Sequence, residues 1–281
     1  MRIRIIDAFT ERPFAGNPAA VCLLDADRWP DEGWMQRVAR EMSLSETAFA
    51  HPLPEGGDAD FALRWFTPET ETNLCGHATL ATAHALRADR GAPGTVRFSS
   101  QSGVLVTHAR EDGTITLDFP AATLTEAAAP AGLAEALGET PETTFETGAL
   151  GDRLAVFGDE ATVRGIAPDH GALVRLIRRD GIRGIIVTAP ADPGGEHDFV
   201  SRFFAPADGI PEDPVTGSAH TALAPYWVAR LGRDGLVGLQ ASPRGGLVRT
   251  ELHGDRVHLT GTAVTVVDGT LHAEPGSAQP D

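Results

Sequence analysis

Two stretches of this 281-residue chain match each other: PEGGDADFALRWFTP (residues 54–68) and DPGGEHDFVSRFFAP (residues 192–206). Extended without gaps, residues 46–68 align with residues 184–206. Eight aligned positions are identical: Pro52/Pro190, Gly56/Gly194, Gly57/Gly195, Asp60/Asp198, Phe61/Phe199, Arg64/Arg202, Phe66/Phe204 and Pro68/Pro206. At ordinary residue frequencies, unrelated segments of this length share about one or two residues. The chain therefore contains an internal duplication.

The duplication continues past the final prolines, after a short insertion in the second copy. Residues 75–91 align with 216–232, and both segments carry apolar residues at helical spacing. Residues 102–119 and 245–261 alternate apolar and polar positions around turn sequences, as hairpins do. A repeat this long indicates duplicated domains rather than a solenoid. We therefore predict two pseudo-symmetric α+β domains, each a curved, mostly antiparallel sheet around a central helix, with the active site in the cleft between them.

The first domain is predicted over residues 1–120 and the second over residues 128–261. Residues 121–144 are rich in Ala, Pro and Thr and resemble a domain junction. The tail after Val267 is expected to be frayed.

The composition excludes several classes of protein. The net charge is −16 and no stretch is basic, which argues against nucleic acid or an anionic membrane as a partner. All 23 basic residues are arginine, so a Schiff-base lysine, a pyridoxal-phosphate lysine and a Walker-type phosphate loop are excluded. No apolar run approaches the ~20 residues of a membrane span. The two cysteines give no disulfide framework, and the sequence predicts a cytoplasmic enzyme without a cofactor.

Both predicted central helices begin at a glycine. The backbone N–H groups and the positive dipole end of such a helix start can bind an anion. Candidate binding groups for a small carboxylate are therefore Gly76 and Ala78 in the first copy, and Gly217, Ser218 and Ala219 in the second. The alternative is that the glycines only permit a tight entry into each helix.

Three side chains are candidate catalytic groups. Glu46, in SLSETAF, would suit a general base if apolar neighbours partly desolvate it; otherwise it is an exposed charge or a helix-end partner for Arg40. Asp213, in GIPEDPVTGS, leads into the second helix start but also fits ordinary turn chemistry. His77 can pass protons because histidine titrates near neutrality.

The cysteine at the first helix start is ambiguous. Cys75 could act as a base, because a thiol at a helix N-terminus has a lowered pKa. A racemase with two thiols would need the second at Thr216, which cannot supply one. His77 and His84 share a helical face but lack a suitable third ligand, so no metal site is predicted.

Four motifs resemble those of the PhzF-like phenazine biosynthesis isomerases, which share the diaminopimelate epimerase fold. They are DAFTERPFAGNPAAV, LSETAF, RWFTPETETNLCGHATLATAHAL and EDPVTGSAH, and the resemblance extends to about residue 267. It implies the two-domain fold already described, with residues 262–270 returning to the first domain. It also implies a homodimer.

The resemblance assigns roles to the candidate residues. The family's prototype isomerises trans-2,3-dihydro-3-hydroxyanthranilate without a cofactor, and LSETAF gives Glu46 the role of the glutamate that moves the proton. CGHAT assigns His77 to polar contact or proton shuttling and Gly76 to backbone binding. DPVTGSA assigns Asp213 and Ser218 to contacts with the substrate.

Three hypotheses follow. The first is a cofactor-independent isomerase acting on a small carboxylate-bearing substrate. The second is a racemase or epimerase of an amino or hydroxy acid, with Glu46 or Cys75 as one base. The third is a catalytically silent protein that binds a small molecule. The sequence does not identify the substrate, and it leaves open whether Arg64 and Arg202 bind it or pair with Asp60, Asp198 or the chain itself.

Overall fold

Each copy of the repeated stretch forms an antiparallel strand pair in the computed structural model, which describes residues 1–91, 94–273 and 275. Pro52 pairs with Phe61 in the first copy, and Pro190 pairs with Phe199 in the second. Residues that are identical between the copies therefore occupy equivalent places in the two ladders.

The chain forms two compact units. The first consists of Met1–Asp118 together with the chain from Thr260 onward, and the second of Phe119–Leu259. The prediction that the tail after Val267 is frayed is wrong for residues 268–270, because they pair with residues 2–4 in an antiparallel ladder. The rest of that tail lies outside the described residues, apart from residues 271–273 and Pro275. Among the described residues, no helix has the length and apolar character needed to cross a bilayer.

The described residues of the first unit form two helices and nine strands of a mixed, mainly antiparallel sheet. Its elements are β1 (Arg2–Ala8), β2 (Asn17–Leu23), α1 (Glu32–Met42), β3 (Glu46–Pro52), β4 (Phe61–Phe66), β5 (Glu71–Thr72), α2 (Gly76–Arg90), β6 (Thr95–Ser100), β7 (Gly103–Ala109), β8 (Ile115–Pro120) and, from the end of the chain, β18 (Ala263–Thr270). Strand β18 pairs antiparallel with β1. Strands β2 and β3 are parallel, as are β4 and β6.

The second unit repeats this plan with additional helices. Its elements are β9 (Thr125–Ala127), α3 (Leu133–Leu137), β10 (Thr143–Glu146), β11 (Arg153–Val156), α4 (Glu160–Gly165), α5 (His170–Asp180), β12 (Ile185–Pro190), β13 (Phe199–Ala205), β14 (Ile210–Asp213), α6 (Gly217–Leu231), β15 (Gly235–Gln240), β16 (Gly246–His253) and β17 (Arg256–Gly261). Strand β9 and helix α3 lie within residues 121–144, the segment that the sequence interpretation treats as a junction. That segment therefore forms part of a folded unit.

The two predicted central helices are α2 and α6. In α2, every residue from Gly76 to Leu86 is buried except the half-buried His84. The helix contacts β1, β2, β3, β7 and β18. A helix that is small or apolar on all faces is stable only when it is surrounded, and strands of the first unit supply these contacts.

Further helices, which the sequence interpretation does not assign, pack against the strands of each unit. In the first unit, α1 packs Trp34 and Met35 against Phe49 and Phe66 of the sheet. The side chain of Asp31 caps α1 by accepting a hydrogen bond from the Trp34 N–H at 2.9 Å. In the second unit, α3, α4 and α5 form one apolar cluster with β11, β12 and β13, and α6 forms another.

Helix α6 contains an internal proline whose effect is compensated. Pro225 has no N–H, so the carbonyl of Thr221 one turn earlier loses its intrahelical donor. The Ala122 N–H donates to that carbonyl instead, at 3.0 Å. The segment after β8 thus completes the hydrogen bonding of α6.

The duplicated aspartates have the same role in both units. Asp60 accepts a hydrogen bond from the Arg97 N–H at 2.8 Å, and Asp198 accepts one from the Val237 N–H at 2.7 Å. In each unit the aspartate thereby fixes the strand that follows the central helix.

The duplicated arginines are also structural. Arg64 donates from Nε to Glu71 at 2.6 Å, and Arg202 donates from Nε to Glu212 at 2.7 Å. Each guanidinium lies over the aromatic ring two residues onward, at 5.1 and 5.0 Å from the centroid. The suggested pairing of these arginines with Asp60 and Asp198 is wrong, because both aspartates lie beyond the opposite end of the strand and bond to other groups.

Candidate active site

Glu46 is the first residue of β3 and lies close to the first turn of α2. The α1 helix ends at Ser43, whose left-handed φ of 52° turns the chain toward β3. Glu46 then pairs in register with Ala19 of the parallel strand β2. Its side chain is 13% exposed, so the carboxylate is largely removed from water. The alternative partner Arg40 is engaged elsewhere, with Nε donating to the carbonyl of Pro68 at 3.3 Å.

His77, the second residue of α2, faces this carboxylate. Its Nε2 lies 3.2 Å from Glu46 Oε2. The imidazole is buried, and this burial lowers the pKa of His77 to about 3. The ring is therefore neutral at physiological pH, and the contact joins a neutral imidazole to a carboxylate rather than forming an ion pair.

Asn17 determines which nitrogen of His77 carries the proton. Its side-chain Nδ2 lies 3.0 Å from His77 Nδ1. Since an amide nitrogen can only donate, Nδ1 accepts, and the proton of the neutral ring resides on Nε2. Nε2 is the ring nitrogen that lies within 3.2 Å of Glu46 Oε2, although the two atoms do not form a hydrogen bond.

The turn before Asn17 requires a glycine. Gly16 has a φ of 63°, and a Cβ at this position would lie 2.1 Å from the carbonyl oxygen of Ala8. Only glycine fits such a close approach. This turn places Asn17 at the start of β2, two residues before Ala19, which pairs with Glu46.

Cys75 lies on the other side of the imidazole. Its Sγ is 3.6 Å from His77 Nδ1, and the residue is buried. Ligand atoms of Glu46, Cys75 and His77 lie within 4.8 Å of one another, and this spacing alone would permit a metal site. However, the thiol approaches Nδ1 whereas the carboxylate approaches Nε2. The lone pairs of these nitrogens diverge, so this arrangement does not direct all three groups at one ion. The other histidine considered, His84, bonds Thr265 Oγ1 at 3.1 Å.

In the second unit, Asp213 is held in a closed hydrogen-bond network. It is the last residue of β14 and is 6% exposed. Thr216 Oγ1 donates to Asp213 Oδ2 at 2.5 Å. Gln240 stabilises the loop between Asp213 and Thr216 by two hydrogen bonds. Its Nε2 donates to the Asp213 carbonyl at 2.7 Å, and its Oε1 accepts from the Thr216 N–H at 2.8 Å.

Ser218, in the first turn of α6, is oriented by an arginine. Arg183 Nη2 donates to Ser218 Oγ at 3.1 Å and also to the carboxylate of Asp152. The Asp152 side chain is fully buried, and burial raises its pKa to about 6 even though Arg183 acts in the opposite direction. The guanidinium is held further by Phe203, whose ring centroid lies 5.1 Å from Cζ.

The two helix starts have matching geometry. The N-cap residues Cys75 and Thr216 are extended, and neither side chain caps its helix. The first N–H groups of a helix have no intrahelical acceptor. These groups belong to Gly76, His77 and Ala78 in α2 and to Gly217, Ser218 and Ala219 in α6.

The structure thus brings Glu46 and His77 together in the first unit, with Gly76 and Ala78 in the same helix turn. Asp213, Gly217, Ser218 and Ala219 lie together around the start of α6 in the second unit. Sequence reasoning missed Asn17, Arg183 and Gln240. Asn17 lies within a quoted motif, after the glycine turn, and that position is a usable signal; no comparable signal marks Arg183 or Gln240.

Comparison with known proteins identifies the family of the chain. The model of the family described as phenazine biosynthesis-like protein matches residues 6–269. An uncharacterized isomerase of Pseudomonas aeruginosa is 46% identical over 269 residues, which cover 95% of this chain and 97% of the relative.

Solved structures show the same fold. A PhzF-family phenazine biosynthesis protein of Enterococcus faecalis is 42% identical, with a TM-score of 0.86 and coverage of 97% of this chain and 99% of that one. A hydroxyproline epimerase of Agrobacterium vitis, 13% identical with a TM-score of 0.61, covers 96% of this chain and 91% of its own, and shares the fold alone. The chain therefore has an epimerase-like fold of mixed helices and strands, and it is an isomerase belonging to the phenazine biosynthesis-like family.

Proposed function

We propose that this isomerase moves a proton within a small carboxylate-bearing substrate, with Glu46 as the general acid and base and without a cofactor. The main supporting observation is the 3.2 Å contact between Glu46 Oε2 and Nε2 of a neutral, buried His77. A carboxylate with little access to water retains the proton that it removes, instead of exchanging it at once with solvent.

The proposed reaction has two proton transfers. Glu46 removes a proton from carbon, and the resulting carboxylic acid delivers a proton to another atom of the same conjugated molecule. One C–H bond breaks and one new bond to hydrogen forms, so the protein is neither oxidised nor reduced. Asn17 keeps the hydrogen of His77 on Nε2, which lies 3.2 Å from Glu46 Oε2. The two atoms do not form a hydrogen bond in the structure, and a small reorientation during the reaction would let the Nε2–H donate to Glu46 or pass a proton onward.

The remaining candidates are proposed to bind the substrate. The N–H groups of Gly76 and Ala78 would hold its carboxylate by the positive end of α2. In the second unit, the carboxylate of Asp213 and the hydroxyl of Ser218 would bond to amino or hydroxyl groups of the substrate. The N–H groups of Gly217 and Ala219 are proposed as further binding groups, and the homodimer stays a prediction.

One observation favours the racemase or epimerase alternative. Cys75 places a thiol 3.6 Å from His77 Nδ1, close enough for a second proton carrier beside the same imidazole. The aligned Thr216 has no thiol, and its hydroxyl is bonded to Asp213. This alternative would therefore combine Cys75 with Glu46 rather than with a second cysteine.

NMR spectroscopy in D2O distinguishes the two functions. Trans-2,3-dihydro-3-hydroxyanthranilate is incubated with the enzyme first, followed by amino and hydroxy acids. A rearranged product, with either retained protium or deuterium at the new position, supports the isomerase, whereas deuterium at the inverted stereocentre of an otherwise unchanged compound supports the epimerase. Glu46→Gln should abolish either signal, and Glu55→Gln, which alters an exposed residue of the Gly-Gly turn, should preserve it. Full activity of Glu46→Gln would contradict the proposal.

A further inference from the structure

The outer face of the hairpin formed by β16 and β17 carries two histidines and a glutamate. Glu251 and His253 are two residues apart on β16 and therefore point to the same side of the strand. Both are exposed, with 53% and 51% of their side chains accessible. His258 lies on β17, after the short turn that begins at Gly254, and is half-buried.

These three side chains converge. The rings of His253 and His258 have centroids 4.4 Å apart and are tilted by 46°. His253 Nε2 lies 3.4 Å from Glu251 Oε2, and one ligand atom from each residue can be chosen so that all lie within 4.8 Å of one another. Ligands about 2.1 Å from a shared tetrahedral ion are separated by about 3.4 Å. The hairpin thus holds the three groups near the spacing of a metal site.

We propose that this hairpin binds a zinc ion through Glu251, His253 and His258, with water completing the coordination. Two imidazoles and one carboxylate are a common ligand set for Zn²⁺. Mg²⁺ and Ca²⁺ prefer oxygen ligands, so the pair of histidines selects against them. This site is separate from Glu46, Cys75 and His77, which belong to the other unit.

Zinc at this position would link two strands of the second unit. The ion would join β16 to β17 through ligands from both, and it would bind the folded hairpin better than the unfolded chain. Binding should therefore raise the stability of the protein as the free zinc concentration exceeds the dissociation constant. The exposure of Glu251 and His253 gives the ion direct access from solvent.

The test is calorimetric titration of the untagged, full-length protein with ZnCl₂. All variants carry Cys75→Ser, so that the thiol beside His77 does not contribute to binding. The proposal predicts one zinc per chain, and a loss of affinity of about tenfold or more in each of Glu251→Gln, His253→Asn and His258→Asn, since even outer-shell partners contribute about 10–100-fold. The matched control is His170→Asn, an exposed histidine of α5 in the same unit, which should bind zinc unchanged.

A second measurement is the melting temperature with and without zinc. The rise in melting temperature should be present in the Cys75→Ser protein and in the His170→Asn control, and absent when His253→Asn and His258→Asn are combined. Two results would overturn the proposal: no zinc binding by the Cys75→Ser protein, or unchanged stoichiometry and affinity in the combined variant.

Discussion

Asn17 Nδ2 and His77 Nδ1 lie 3.0 Å apart, and this contact places the proton of His77 on the nitrogen that faces Glu46. The two residues are at the starts of β2 and α2, elements that pack against each other within the first unit. Hence the tautomer of the imidazole beside Glu46 depends on the side chain of Asn17.

The first prediction concerns the tautomer of His77. Asn17→Asp replaces a donor with an acceptor, so the proton of the neutral imidazole should move to Nδ1 and leave the lone pair of Nε2 facing Glu46. We expect turnover to fall about 10–100-fold, within the range attributed to general acid–base catalysis. Nitrogen-15 NMR should report the change of tautomer directly.

The control for this substitution is Asn73→Asp, in an exposed loop before α2. It adds the same charge without touching His77, so the tautomer and the turnover should stay as in the wild type. An unchanged His77 tautomer in Asn17→Asp would contradict the assignment.

Much of the fold could be predicted from the sequence because the duplication and the helical spacing are local signals. The segment 75–91 contains α2 (Gly76–Arg90), and 216–232 contains α6 (Gly217–Leu231). Glycines in the left-handed conformation, Gly91 and Gly232, follow both helices, and this is a signal that sequence reasoning can use.

The supporting residues of the site could not be predicted in this way. Arg183 forms hydrogen bonds with Ser218, which is 35 residues away in the sequence, and with Asp152, which is 31 residues away. Gln240 reaches back across 27 positions to Asp213. Such contacts are determined by strand pairing and helix placement, and neither residue lies in a local pattern that marks it as a partner.

The second prediction is a pH dependence of stability. Burial lowers the folded-state pKa of His77 to about 3 and that of His220 to about 4, against about 6.5 in the unfolded chain. As pH falls below about 6.5, the unfolded state binds protons that the folded state does not, so the free energy of unfolding decreases toward pH 4.

Urea unfolding between pH 7 and pH 4 measures this effect. His77→Asn should reduce the slope of the free energy of unfolding with pH, because the variant no longer has that proton uptake on unfolding. His170→Asn, which alters an exposed histidine, is the matched control. A slope in His77→Asn equal to that of the wild type would show that the imidazole of His77 is already protonated, or equally accessible, in the folded state.

The third prediction concerns the ion pair of Arg183 and Asp152, which orients Ser218. Arg183→Met leaves the fully buried carboxylate of Asp152 without its cation, and should lower the free energy of unfolding by about 1–3 kcal/mol. We expect a smaller loss of unfolding free energy than for a fully buried ion pair, because the guanidinium of Arg183 is 35% exposed. Adding Asp152→Asn to Arg183→Met should recover part of the loss, as a double-mutant cycle would measure.

The comparison for this pair is Arg179→Met, which removes an exposed arginine paired with its neighbour Asp180. Arg179→Met should change the free energy of unfolding by at most about 1 kcal/mol. Equal losses in Arg183→Met and Arg179→Met would mean that Arg183 does not support the start of α6.

The fourth prediction separates structural arginines from binding ones. Arg202 donates to Glu212 at 2.7 Å and to the carbonyl of Ile166 at 2.6 Å. Arg202→Gln should therefore lower the free energy of unfolding by about 2–4 kcal/mol, because it leaves buried acceptors without donors. Arg233→Gln, at an exposed pair with Asp198, should cost at most about 1 kcal/mol. A stable Arg202→Gln protein with impaired substrate affinity would instead assign Arg202 to binding.

The most direct test of the central claim is turnover and solvent-proton exchange by Glu46→Gln, followed by NMR in D2O with a substrate that the wild type converts. We predict that turnover and exchange both fall about 100-fold or more, while the affinity for substrate, measured by calorimetry, is nearly unchanged. Wild-type turnover or exchange in Glu46→Gln would contradict the assignment of proton transfer to Glu46.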